Sequence, residues 1–127
     1  MTDTKELQEI GKTAYEAVAE LVAALEAAGD DDDKAREEAE QRIQEDPLSI
    51  EVRSGWAVLG QPLVAEEYNI LLATGGPAYR IVGDLGLYTE PETARLEVQD
   101  WGTPWTEYRG ANEDVLLTYA RQFYFGV

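Results

Sequence analysis

The sequence predicts an α+β fold: an N-terminal helical hairpin, a four-stranded antiparallel sheet and a C-terminal helix packed on the sheet. Three observations carry that reading. Before Pro47, apolar side chains recur at spacings of three and four, the period of a helix. After Pro47 the period changes to two, in short runs separated by Gly and Pro, as in a meander of strands. After Asn112 the helical period returns. Pro47 therefore divides the chain into an acidic hairpin, residues 1–47, and a sheet with its closing helix, residues 48–127. At this length both parts are expected in one compact domain.

The first helix is expected to start at Asp3 or Thr4, either of which can cap it. Leu7, Ile10, Ala14, Ala17, Leu21, Ala24 and Ala28 form its apolar seam, widened by Val18, Val22 and Leu25. So narrow a seam suits packing inside the protein or pairing with a second copy. Gly11 interrupts the face at about 1 kcal/mol relative to Ala, and Gly29 supplies the stop. Asp33 is the expected cap of a second helix running to about Glu45, with Ala35, Ala39 and Ile43 as a thin apolar stripe. Pro47 ends it.

Four strands follow. Leu48, Ile50 and Val52 alternate with Ser49, Glu51 and Arg53. Residues 67–74 form a central strand, apolar on both faces, and Gly75-Gly76-Pro77 turns it into a third strand at 78–83. Residues 93–101 are the fourth, with Ala94, Leu96 and Val98 on one face. Arg53, Arg80 and Arg95 fall on the non-core face beside Glu51, Glu67 and Glu97, an arrangement that favours cross-strand ion pairs. The last helix is capped by Asn112, and Val115, Leu116, Tyr119, Ala120 and Phe123 cover the sheet.

The residue inventory narrows the chemistry. The chain has no cysteine and no histidine. Disulfides, thiol nucleophiles, Cys-based metal sites, the usual triad base and the commonest zinc ligand are therefore excluded. Asp30-Asp31-Asp32-Asp33 lacks the spacing, central Gly and terminal Glu of a calcium loop, so no metal is expected. Gly75-Gly76 leads into a strand without a following Lys-Ser/Thr, so it is a turn and not a phosphate loop. No cofactor motif is present. No apolar run approaches the ~20 residues of a membrane span, and the polar N-terminus does not read as a signal peptide. The expectation is a cytoplasmic protein with no membrane partner.

Charge is the strongest global feature. Asp and Glu number 26 against 10 Lys and Arg, a net charge of −16. Such a field repels nucleic acid, and an electrostatically favoured partner is basic. Residues 30–46 hold nine acids and three bases, a net of six negative charges over seventeen residues. On a helix that is one net charge per ~4 Å, against one per ~1.7 Å of duplex DNA. The face reads plainly as a solvated surface with intrahelical ion pairs, or as adaptation to high salt. More sharply, it reads as part of a polyanion mimic that draws further acids from elsewhere in the fold.

The residues placed at a partner contact are Asp30, Asp31, Asp32, Asp33, Glu37, Glu38 and Glu40, with Trp101 and Trp105 as aromatic anchors. The two Trp residues also suit a buried corner that closes the sheet. Exposure of either would make that corner part of the interface. Asp100 and Glu107 flank it, and two carboxylates can perform glycosidic chemistry if they converge in a pocket. Asp100 reads more simply as a turn residue.

Three segments carry a resemblance: Glu51-Val52-Arg53-Ser54-Gly55-Trp56, Ile70-Leu71-Leu72-Ala73-Thr74-Gly75-Gly76-Pro77-Ala78 and Gln99-Asp100-Trp101-Gly102-Thr103-Pro104-Trp105. Together they resemble the small acidic proteins encoded by phages and prophages, a class that includes anti-CRISPR and anti-restriction inhibitors. The resemblance implies a non-catalytic inhibitor that occupies the nucleic-acid site of a basic defence protein, such as a CRISPR effector or another nuclease. The alternatives are a structural or accessory phage-type oligomer, such as a homodimer, with the first helix as its seam, and a carboxylate-dependent enzyme.

Overall fold

A computed structural model describes residues 3–29 and 32–126. Its elements are α1 (Thr4–Ala28), α2 (Asp33–Glu45), β1 (Ser49–Ser54), β2 (Ala65–Ala73), β3 (Ala78–Asp84), β4 (Arg95–Gln99), β5 (Thr106–Glu107) and α3 (Glu113–Ala120). The strands form one antiparallel sheet in the order β1-β2-β3-β4-β5. The sheet thus has five strands and not the expected four. The addition, β5, is two residues long, too short to display a period of two in sequence. It pairs Thr106 with Val98 and Glu107 with Glu97.

Helix α1 lies where its pattern places it. Asp3 caps it, accepting from the Glu6 amide at 2.8 Å. Its buried stripe is Leu7, Gly11, Ala14, Val18, Val22 and Leu25, whereas Ile10 and Leu21 are only half-buried and Ala17 is exposed. Gly11 is buried within this stripe because Tyr108, just beyond β5, packs against it. A Cβ at residue 11 would lie 2.7 Å from the Tyr108 Cβ. Gly11 is therefore a packing requirement as well as a cost in helix propensity. Most of the wider stripe, including Leu7, Val18, Val22 and Leu25, is thus packed within the chain.

Helix α2 packs on α1 through Ala39 and Ile43. Its cap is Asp32, not Asp33. The Asp32 carboxylate accepts from the Ala35 amide at 3.1 Å, which leaves Asp33 in the first turn. At the other end, the buried Tyr119 hydroxyl of α3 donates to the Asp46 carboxylate at 2.6 Å. Burial, then the bond to Asp46, raises the Tyr119 pKa and keeps the phenol a donor. Asn112 caps α3, as its sequence position predicts.

Helices α1 and α3 cover one face of the sheet, chiefly over β4. Tyr68, Ile70, Ile81 and Leu96 project into this layer and join α1, α2 and α3 in one contiguous core. Gly83 makes room for Tyr68, whose hydroxyl donates to the Thr93 carbonyl at 2.6 Å; an added Cβ at 83 would press on that carbonyl. The cover stops short of β1. Leu48, Ile50 and Val52 have the parity of the core face but are exposed. The loop 55–64 continues this surface with a fully exposed Trp56 and Leu59.

Among the described residues, no helix is long and apolar enough to cross a membrane.

Candidate binding surface

Charge is distributed unevenly over this frame. Fifteen of the 26 acids and five of the ten bases lie in residues 1–46, so the helical hairpin carries a net of ten of the sixteen negative charges. The helices place these acids outward because their apolar stripes are consumed inward. Glu9, Glu16 and Glu20 are exposed along α1, and Asp33, Glu37 and Glu38 along α2. Lys12–Glu16 at 4.0 Å and Arg36–Glu40 at 3.2 Å are one-turn ion pairs on these faces. Each is worth a few tenths of a kcal/mol, ~0.3–0.5 for such helix pairs.

The expected contact residues therefore separate into groups. Asp30 and Asp31 lie outside the described residues. Asp32 is occupied in capping. Asp33, Glu37 and Glu38 are exposed, and Glu40 is half-buried against Arg36. The two Trp residues part company. Trp101 is 82% exposed at the tip of the β4–β5 turn, which corrects its placement in a buried corner. Trp105 is half-buried, with the Arg80 guanidinium 4.1 Å from its ring centre.

The Trp101 turn has unusual backbone. Residues 101 and 102 both have positive φ, 30° and 78°. Such a turn favours Asn or Gly at both central positions. Thr103 closes it: its amide donates to the Asp100 carbonyl at 3.1 Å, and its hydroxyl accepts from the Asp100 amide at 2.9 Å. The tip thus presents a large ring to solvent on a strained backbone.

The uncovered face of the sheet is ordered by cross-strand rows. One row runs Ser49, Leu71, Arg80, Glu97 and Glu107; the next runs Glu51, Asn69, Val82 and Arg95; the third runs Arg53, Glu67 and Asp84. Two of the expected cross-strand ion pairs form here, Arg80–Glu97 and Arg53–Glu67, while Arg95 reaches Glu97 along its own strand. Glu97 receives Arg80 at 2.8 Å and Arg95 at 3.0 Å, with its side chain only 12% exposed. Arg53 donates through Nε to Glu67 at 2.6 Å in a more exposed setting. Between the rows lies an open hollow of about 390 Å³, lined by Arg53, Arg80, Arg95, Glu51, Glu67 and Asn69 among others. The Asn69 side-chain oxygen is buried and makes no hydrogen bond among the described residues.

Chemically, the hollow is lined by three arginines and two glutamates, and Glu97 beside it pairs with two of the arginines. Its arginines face carboxylates, and neither Asp100 nor Glu107 lines it. The convergence that a two-carboxylate mechanism requires is not built there. No cluster of three or more His, Cys, Asp or Glu suited to a metal ion occurs among the described residues. Two features escaped the sequence reading. The rows were legible, but a hollow depends on how far the Arg side chains fold over their neighbours. The apolar surface of β1 and its loop has a signal in the sequence, the seventeen residues 48–64 with one acid and one base, although alternation by itself predicts a covered β1. No family model, no curated protein and no solved structure matches the chain.

Proposed function

We propose that this chain is a non-catalytic binding protein that occupies the nucleic-acid site of a basic protein, with carboxylates standing in for phosphates. The observation that carries the reading is the outward acid array of α1 and α2. Its exposed carboxylates are held on a helix pair whose inner stripe, including Val18, Val22, Leu25 and Ile43, is almost wholly buried. Acids held on a rigid scaffold need little ordering on binding, which lowers the entropic cost of matching a row of Lys and Arg. Opposite charge then steers the encounter and sets the register. Trp101 adds an exposed aromatic anchor of the kind that interfaces favour. A defence nuclease is the partner that fits the resemblance to phage-encoded inhibitors.

The test is competition. The protein is titrated into a CRISPR effector or restriction nuclease bound to labelled nucleic acid, at low and near-physiological salt. The expected result is displacement that weakens steeply with salt. Glu37→Gln, Glu38→Gln and Glu20→Gln combined should weaken it about tenfold, through loss of three charge contacts. If the triple variant displaces nucleic acid as well as the parent does, the hairpin is not the interface.

A further inference from the structure

Strand β1 is an edge of the sheet, so one side of its backbone has no strand partner within the chain. Proteins usually guard such edges with proline, lysine, an inward charge or very short length. β1 is six residues long and has neither proline nor lysine. Its core-parity residues Ile50 and Val52 are exposed. Of the twelve exposed large apolar side chains among the described residues, eight fall in residues 48–64. The same stretch holds one acid, Glu51, and one base, Arg53. A chain with a net charge of −16 therefore keeps one neutral, apolar window. A basic partner gains no electrostatic attraction there. A second copy of this acidic chain meets the least repulsion there.

We propose that β1 is a homodimer interface, in which two copies pair their β1 strands antiparallel about a two-fold axis at Val52. The charges select the register. Centring on Val52 sets Glu51 opposite Arg53 of the second copy, twice, with Val52 facing its own equivalent. Centring on Glu51 or on Arg53 sets identical charges face to face, which destabilises a cross-strand pair. Arg53 is available for this, because its side chain is 76% exposed while bridging Glu67. The pairing joins two five-stranded sheets into one of ten strands. It brings each 55–64 loop alongside residues 46–48 of the other copy. The two sheet-face hollows, each bordered by Glu51 and Arg53, then lie side by side. The seventeen residues of the strip approach the ~20–30 a side of a standard interface.

Sedimentation and light scattering on the full chain test the assembly. The expected species has twice the 14.1 kDa chain mass. Val52→Lys should be a monomer with an unchanged circular dichroism spectrum. The register has its own test, because the chain contains no cysteine. In Val52→Cys the two thiols face each other at the ~4.5–5.5 Å Cα separation of a cross-strand pair, within disulfide reach, and mild oxidation should give a covalent dimer. Ser49→Cys places the thiols six residues out of register and should not. Glu51→Arg and Arg53→Glu should each weaken self-association about tenfold. Mixed one to one, these two variants should form a heterodimer, since each altered charge then faces an opposite one. A wild-type monomer at the highest soluble concentration would overturn the proposal and leave the edge to a strand of another protein. A Val52→Lys dimer, or equal cross-linking through residue 49, would also overturn it.

Discussion

At the scale of single residues, the most informative position is Trp101. An L-residue other than Gly, Asn or Asp in the left-handed region costs roughly 1–2 kcal/mol. Trp101 has φ of 30° and buries little of its ring to offset that cost. Asn suits the position, because its short polar side chain tolerates the conformation. Trp101→Asn should therefore raise unfolding stability by about 1 kcal/mol in a urea titration, an unusual direction for losing a Trp. The same substitution should weaken partner binding if the ring is an anchor. A loss of stability would instead mean that the ring packs against the fold. Little of this was legible in Asp100-Trp101-Gly102-Thr103. The residues announce a turn, but they do not say which central residue takes positive φ or whether the ring folds inward. The cap of α2 is a similar case. Four consecutive Asp residues offer equivalent caps, and the choice of Asp32 depends on where the hairpin turn lets the helix begin.

At the scale of elements, the uncovered face of the sheet contrasts two ion pairs of the same chemistry. Glu97 accepts from both Arg80 and Arg95 and is nearly buried, and Arg80 also stacks on Trp105. Glu67 pairs with Arg53, with the Arg53 side chain largely in solvent and that of Glu67 partly so. Removing the acceptor's charge from the first set leaves a poorly solvated guanidinium facing a neutral amide, costing ~1–3 kcal/mol. Removing it from the second costs ~0.2–1 kcal/mol. Glu97→Gln should thus lower the melting temperature clearly and Glu67→Gln hardly at all, by differential scanning calorimetry. Equal effects would mean that the Arg80 and Arg95 contacts add nothing beyond surface pairing. The faces of these strands were readable in the sequence because alternation reports parity. Coverage was not readable. Ile50 and Ile70 are cross-strand partners with the same parity, yet Ile70 is buried and Ile50 is exposed, because the core built with the helices takes in Ile70 of β2 and no residue of β1. Strand β5 was illegible for a different reason: two residues cannot show a period, and only pairing with β4 defines it.

At the scale of the whole molecule, salt should act differently on three properties of the same chain. A net charge of −16 makes the folded state repel itself, most strongly in the hairpin, where ten of those charges are concentrated. Raising ionic strength from 0.1 M to 1 M shortens the Debye length from ~10 Å to ~3 Å. That relieves repulsion among exposed acids more than it weakens the Glu97 cluster, whose groups are close together and whose central carboxylate is nearly buried. The melting temperature should therefore rise by several degrees between low and high NaCl. Binding to a basic partner relies on unscreened attraction between the same exposed acids and the partner, so it should weaken over the same range. Self-association through β1 is governed by a neutral, apolar strip, so salt should leave it unchanged or strengthen it as repulsion between copies is screened. Measuring all three on one preparation separates the meanings of the acidity. Acids serving only tolerance of high salt would give the rise in melting temperature without any salt-sensitive complex. A melting temperature that stays flat or falls would show that favourable pairing, and not net repulsion, dominates the surface field.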